Sequence, residues 1–178
     1  GARIGVAEID ALLRHDRVLG LAEVMDMPAV WHGAAYMLQK ILTAQRYRRV
    51  IDGHAPNVVG LPLQAYIAAG MRADHESATV EEAREKARLG MLVQVRDGSI
   101  AHNLDTLLPL IVTGELADRW TLVTDDILPD DLRQWGHLDY LVRRVIAGGV
   151  SAALAVRQAT WVPAQHYGLT DRGAIAPG

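Results

Sequence analysis

The sequence predicts an α/β fold with about five parallel strands joined by crossover helices. Two observations predict it. Short apolar runs alternate with helical stretches along the chain, and the strand-like runs end in polar, titratable residues.

The first strand reads as "RVLGLAEVM" (17–25). Pro28 suits a first helical turn and opens a helix in which Tyr36, Met37, Ile41 and Leu42 recur at three-to-four spacing. "RRVIDGH" (48–54) is the second strand, and "LPLQAYIAAG" is a short helix closed by Gly70. After the short third strand "MRADH" (71–75) comes the clearest helix signature, "TVEEAREKARLG". There Thr79 and Glu82 have capping-box spacing, Arg and Lys fill the later turns, and Gly90 stops the run. "MLVQVRDGS" (91–99) is the fourth strand, and Pro109 kinks or shortens the helix "NLDTLLPLIVTG". "RWTLVTDD" (119–126) is the fifth strand. The rest is helical in "DDLRQWGHLDYLVRRVIAGG" and in "SAALAVRQAT", with Ser151 as N-cap, before a Gly/Pro-rich tail.

Half of the 178 residues are hydrophobic and 22% are charged, as in a domain that buries a core. The net charge of −3, with no basic stripe, gives nucleic-acid or membrane-surface binding no support. The lack of cysteine excludes disulfides, thiolate metal sites and Cys nucleophiles. No apolar run approaches the ~18 residues of a membrane span, and no secretion pattern opens the chain, so a cytoplasmic location is the expectation. A doubly wound nucleotide-binding domain fits badly, because no Gly-rich phosphate loop follows the first strand.

Parallel sheets carry function at the C-terminal ends of their strands. Those ends hold Glu23, His54, His75 with Glu76, Arg96 with Asp97, and Asp125 with Asp126. Any one alone reads as a solvated loop residue. Four of five strands ending in a potential metal ligand read as a site. Imidazoles and carboxylates without thiolates suit zinc, manganese or iron(II), and a divalent ion offsets the repulsion among clustered acids. In "DGHAP", Gly53 allows close backbone approach and Pro56 stiffens the exit, which would hold His54 in one orientation. His15, His32, His102, His137 and His166 fall in or near helices with no strand-end partner and read as surface or satisfied polar residues.

"VIDGHAPNVVGLPLQAYIAAGMRADHES" resembles the central segment of the bacterial adenine deaminases of the amidohydrolase superfamily. So do "GLAEVMDMPAV" before it and "VTDDILPDDL" with "GHLDYLVRRVI" after it. The tail "ATWVPAQHYGLTDRGAIAPG" is similar to the segment by which many amidohydrolases leave the barrel for a small β-domain. The resemblance implies that residues 1–178 form a single partial TIM-like (β/α) barrel domain, its fourth to eighth strands. It implies metal-dependent hydrolysis of adenine to hypoxanthine and ammonia in the intact protein. The cofactor would be a binuclear divalent centre of Mn²⁺ or Fe²⁺, with Zn²⁺ a further option. Glu23, His54, His75 and Asp125 would be the ligands, Asp125 also accepting a proton from the attacking water. Glu76 would shuttle protons to the purine ring and the leaving ammonia, while Asp74 orients a neighbour. Arg96, Ser99 and Asp126 would touch the substrate.

The sequence departs from the family pattern in three ways. It has no H-x-H pair, its five strands fall short of a closed barrel of about 250 residues, and Val162 stands where an asparagine is usual before the proline. The expectation is therefore a C-terminal part of a barrel that turns over little or no adenine alone. Two other readings share the residues: a different amidohydrolase-type cyclic amide hydrolase or deacetylase, and a non-catalytic α/β module that binds a metal or small ligand. An open arc exposes strand edges and apolar faces, so a homo-oligomer is expected. Light scattering should report at least two chains per particle; a monodisperse monomer would count against this.

Overall fold

In the computed structural model, which describes residues 3–116 and 118–177, five parallel strands form one sheet in the order of the chain. They are β1 (Gly20–Val24), β2 (Val50–Gly53), β3 (Ala73–Asp74), β4 (Leu92–Arg96) and β5 (Trp120–Val123). The helices are α1 (Val6–Leu13), α2 (Met27–Trp31), α3 (Ala35–Arg46), α4 (Gly60–Ala68), α5 (Val80–Arg88), α6 (Leu104–Thr113), α7 (Pro129–Trp135), α8 (Leu138–Ala147) and α9 (Ala152–His166). Gly20 lies opposite Val50, Asp52 opposite Ala73, Asp74 opposite Val93 and Arg96 opposite Val123. Each strand pairs with the next in sequence, as in a barrel wall, and all five C-terminal ends emerge along one rim.

Side chains alternate across each strand. Val93, Val95, Trp120 and Leu122 pack with Leu107, Leu110 and Val145 of the helices, forming one core. A second core joins Ile51 and Met71 to Ile9, Leu13, Ile41, Leu63 and Tyr66. Leu92 and Gln94 therefore face the other way, and there the end of α9 crosses the sheet. Val162 packs on Ala73 and Leu92, while Asp52 accepts from His166 Nε2 at 2.7 Å and Tyr167 Oη at 2.5 Å.

Four local departures from the sequence reading have physical causes. α1 was not expected, although Ile9 and Leu13 are spaced for one buried face and Glu8 accepts from the Gly5 N–H at 2.8 Å. The helix expected from Pro28 is split at Gly33, whose φ of +72° breaks the run; Asp26 caps its first half, accepting from Ala29 N at 3.2 Å. At α5, Thr79 accepts from Glu82 N at 3.2 Å, but the Glu82 carboxylate turns to Ala78 N and Asn57 N instead of closing the capping box. α9 does not stop at residue 160 but continues through Pro163 to His166. Pro163 lies in the last turn, so one lost bond is offset by burial of Val162 and Ala164 and by the His166–Asp52 contact.

Beside β1 is a hollow of about 320 Å³ whose lining includes Ile4, Leu12, Leu21 and Met37. Ile4 and Leu12 are at least half exposed there. No helix among the described residues is long and apolar enough to cross a membrane. Trp120 is 1% exposed at the centre of the core between β4, β5 and their helices. Trp120→Ala should cost about 3–5 kcal/mol of stability, read as a lower urea midpoint; an unchanged midpoint would show that this core does not hold the sheet.

Candidate metal centre

The rim places one candidate ligand after another because neighbouring strands end side by side. Glu23 comes from β1, His54 follows β2, His75 and Glu76 follow β3, and Asp125 follows β5. Glu23 Oε2 is 3.5 Å from His54 Nδ1 and 3.1 Å from His75 Nε2. Glu76 Oε1 is 3.5 Å from His54 Nδ1 and 3.4 Å from His75 Nε2. The two imidazoles lie 5.3 Å apart, inclined at 70°.

Two overlapping groups have ligand atoms within 4.8 Å of one another: Glu23, His54 and His75, and then His75, Glu76 and Asp125. Atoms each ~2.1 Å from a shared ion lie ~3–3.4 Å apart, so the observed spacings suit coordination. His54 Nδ1 is buried with no hydrogen-bond partner among the described residues. Such an orphan is costly unless something else satisfies it. The chain's residues fit a divalent ion.

The local chemistry explains why His54 stands where it does. The Tyr66 hydroxyl accepts from His54 N at 3.0 Å and donates to Val24 O at 2.5 Å, tying the ends of β1 and β2 together. Burial pushes the Tyr66 phenol well above its ordinary pKa, so it remains a donor. A Cβ on Gly53 would lie 2.7 Å from the Tyr66 ring and 2.9 Å from Ala73 O, so only glycine permits this approach. Tyr66 escaped the sequence reading. Its signal was a lone hydroxyl on the buried face of an apolar helix, a group that needs a partner.

Asp125 has φ of +57°, a left-handed conformation that aspartate tolerates and that turns the chain sharply off β5. Arg96 joins the two acids. Its guanidinium pairs with both oxygens of Glu76 and donates to Asp125 Oδ2 at 2.7 Å, while Nε donates to Asn103 Oδ1 at 2.7 Å. Burial works against its charge, but the bonds to Asp125 and Glu76 raise its pKa above that of free arginine.

The remaining rim residues have other partners. Ser99 N donates to Asp126 O, and Ser99 Oγ accepts from Leu128 N, each at 2.8 Å, which joins the loops after β4 and β5. The Asp126 side chain adds no hydrogen bond to those described and is exposed. Asp97 pairs with Arg144 and with His102 at 3.1 Å. His137 meets Thr124 at 3.2 Å, and His166 meets Asp52. These three histidines are satisfied polar residues as expected, but with partners on or beside strands that the sequence did not reveal. A cavity of about 470 Å³ opens at the rim between Glu23, Asp52, His75, Gln94, Asp125 and Tyr167.

No family model matches the chain. Over its whole length it is 45% identical to an adenine deaminase of Kosmotoga olearia and 46% identical to one of Deinococcus deserti. Along its whole length the chain is similar to one segment of adenine deaminases. It spans 31% and 32% of those two relatives' lengths. Among solved structures, a β-aspartyl dipeptidase from Fervidobacterium islandicum superposes with a TM-score of 0.66 at 16% identity, over 96% of this chain and 53% of that one. An amidohydrolase superposes with a TM-score of 0.56 at 19% identity, over 98% of this chain and 49% of that one. These likenesses show the fold alone, consecutive parallel strands with crossover helices arranged as in those two proteins. The "DGHAP" and "DHE" stretches lie at the ends of two adjacent, paired strands, as the strand order in the sequence implies.

Tyr66→Phe leaves the His54 N–H and the Val24 carbonyl without their shared partner. Stability should fall by about 1–3 kcal/mol in chemical denaturation. A loss near zero would show that the hydroxyl does not tie β1 to β2.

Proposed function

We propose that the chain supplies the proton-transfer residues and part of the metal site of an adenine deaminase, which hydrolyses adenine to hypoxanthine and ammonia. The observation that carries this reading is the convergence of Glu23, His54, His75, Glu76 and Asp125 at one rim, with a buried His54 nitrogen that faces two carboxylates at 3.5 Å but makes no hydrogen bond among the described residues. The similarity to adenine deaminases supports adenine as the substrate.

Glu23, His54, His75 and Asp125 would hold the metal. Two imidazoles with carboxylates and no thiolate suit Mn²⁺ or Fe²⁺, and also Zn²⁺. When bound, the ion would acidify water and so supply hydroxide near neutral pH. The chain's own groups carry the other steps. The Asp125 carboxylate would accept one proton of the attacking water. Glu76 would give a proton to the adenine ring nitrogen. It would then take one from the new hydroxyl group as the carbonyl forms and pass it to the departing ammonia, the proton held by Asp125 then restoring the Glu76 carboxyl group. Arg96 orients both acids and, being bound to them and to Asn103, has few donors left for the substrate. Asp126, exposed beside Asp125, is better placed for a substrate contact than Ser99, whose hydroxyl is bound to Leu128 N.

The test is a graft. This chain should replace the matching segment of the Kosmotoga olearia adenine deaminase with release of ammonia from adenine retained. Glu76→Gln in the graft should lower turnover by roughly 10²–10⁴-fold while leaving bound metal in place. A folded, metal-loaded graft that hydrolyses another cyclic amide but not adenine would overturn the substrate. Full activity of the Glu76→Gln graft would overturn the role of the carboxylate.

A further inference from the structure

On the helix side of the sheet, directly behind the rim, one lysine is wholly buried. Lys86 of α5 has no exposed side-chain surface, and neither has its partner Asp74. Lys86 Nζ donates to Ala55 O at 2.7 Å, Asp74 Oδ2 at 2.8 Å and Glu82 Oε1 at 2.7 Å. An ammonium has three N–H groups, and all three are used.

The two acids pass the restraint on to the chain. Asp74 Oδ1 accepts from Ala55 N at 2.7 Å, and Oδ2 accepts from Glu76 N at 3.1 Å and from Ser77 Oγ at 3.0 Å. Glu82 accepts from Asn57 N at 2.8 Å and Ala78 N at 3.1 Å. The loop leaving β2 and the loop leaving β3 are thus held by the same three side chains. His54 immediately precedes Ala55, and His75 lies between Asp74 and Glu76. The three side chains bond to backbone at these loops and to neither imidazole, so the network acts through the backbone.

We propose that Lys86 is a positioning residue of the metal centre, its ammonium fixing the separation between His54 and the His75–Glu76 pair. The ammonium bridges the two carboxylates, and those carboxylates in turn accept backbone N–H groups from both loops. Removing the ammonium therefore loosens both loops at once. Arginine is no substitute, because its planar fork cannot occupy the volume of a point charge with three tetrahedral donors. This inference rests on the reading of His54 and His75 as ligands.

The test measures Mn²⁺ affinity by titration, with folding followed separately by circular dichroism and thermal denaturation without metal. Four forms of the 178-residue chain are compared: parent, Lys86→Met, Lys86→Met with Glu82→Gln, and His75→Ala. Lys86→Met should weaken Mn²⁺ binding about 10–100-fold, the range for groups that orient ligands from behind. The double variant removes a positive and a negative charge together. It should regain thermal stability relative to Lys86→Met without regaining affinity, a split that a purely structural lysine would not produce. If Lys86→Met does not fold, the double variant decides. A folded double variant that binds Mn²⁺ as the parent does would overturn the role of Lys86. If His75→Ala also binds like the parent, the ligand reading falls and takes this inference with it. If His75→Ala loses binding while the Lys86 variants keep it, only Lys86 is misassigned.

Discussion

Everything at the rim depends on parallel pairing of consecutive strands. A parallel ladder forces each connection back along the sheet through a helix, so every strand leaves in the same direction and its last residue faces the same mouth. β3 shows how little strand this needs. It has two residues, yet pairing to β2 through Ala73 and to β4 through Leu92 and Val93 delivers His75 and Glu76 between their neighbours' ends. Short strands suffice because packing against helices on one face supplies the burial.

Charge is managed in two layers, and the contrast separates structure from chemistry. Behind the sheet, Asp74 and Glu82 share one ammonium and several backbone N–H donors, and every charged atom of that group has a partner. At the mouth, Glu23, Glu76 and Asp125 face a single guanidinium and two imidazoles, one with a nitrogen left unpaired among the described residues. The first arrangement is closed. The second has negative charge to spare, which a divalent ion would offset. Consecutive residues, Asp74 and His75, belong to different layers because successive side chains leave a strand on opposite faces.

This division also explains what could be read from the sequence. Strand order and the rim residues were legible because parallel topology converts a linear list of strand ends into a spatial cluster. The N-cap at Ser151 and the stop at Gly90 were legible because they act within a few residues. Lys86 was not. In "VEEAREKARLG" it reads as one of several charges on a solvated face, and its acceptor at Ala55 is 31 residues away. Glu82 was misread for the same reason, its capping-box spacing being overridden by Asn57 N from another loop. Local patterns report local bonds, and both residues spend theirs over long range.

Asp52 makes the same point for the other face of the sheet. It stands two residues before His54 and lines the cavity with Glu23 and His75, so composition alone would admit it as a ligand. The end of α9 removes it from that role. His166 occupies one oxygen and Tyr167 the other. Burial, reinforced by the bond to Asp52, raises the Tyr167 pKa far above neutrality, so the phenol keeps its proton and remains a donor. Asp52 is therefore satisfied within the fold, while Glu23 and Asp125 stay directed to the mouth, where Glu76 is paired with Arg96. The continuation of α9 through Pro163 thus has a consequence at the rim. By carrying His166 and Tyr167 across the sheet, it determines which carboxylates are left for an ion.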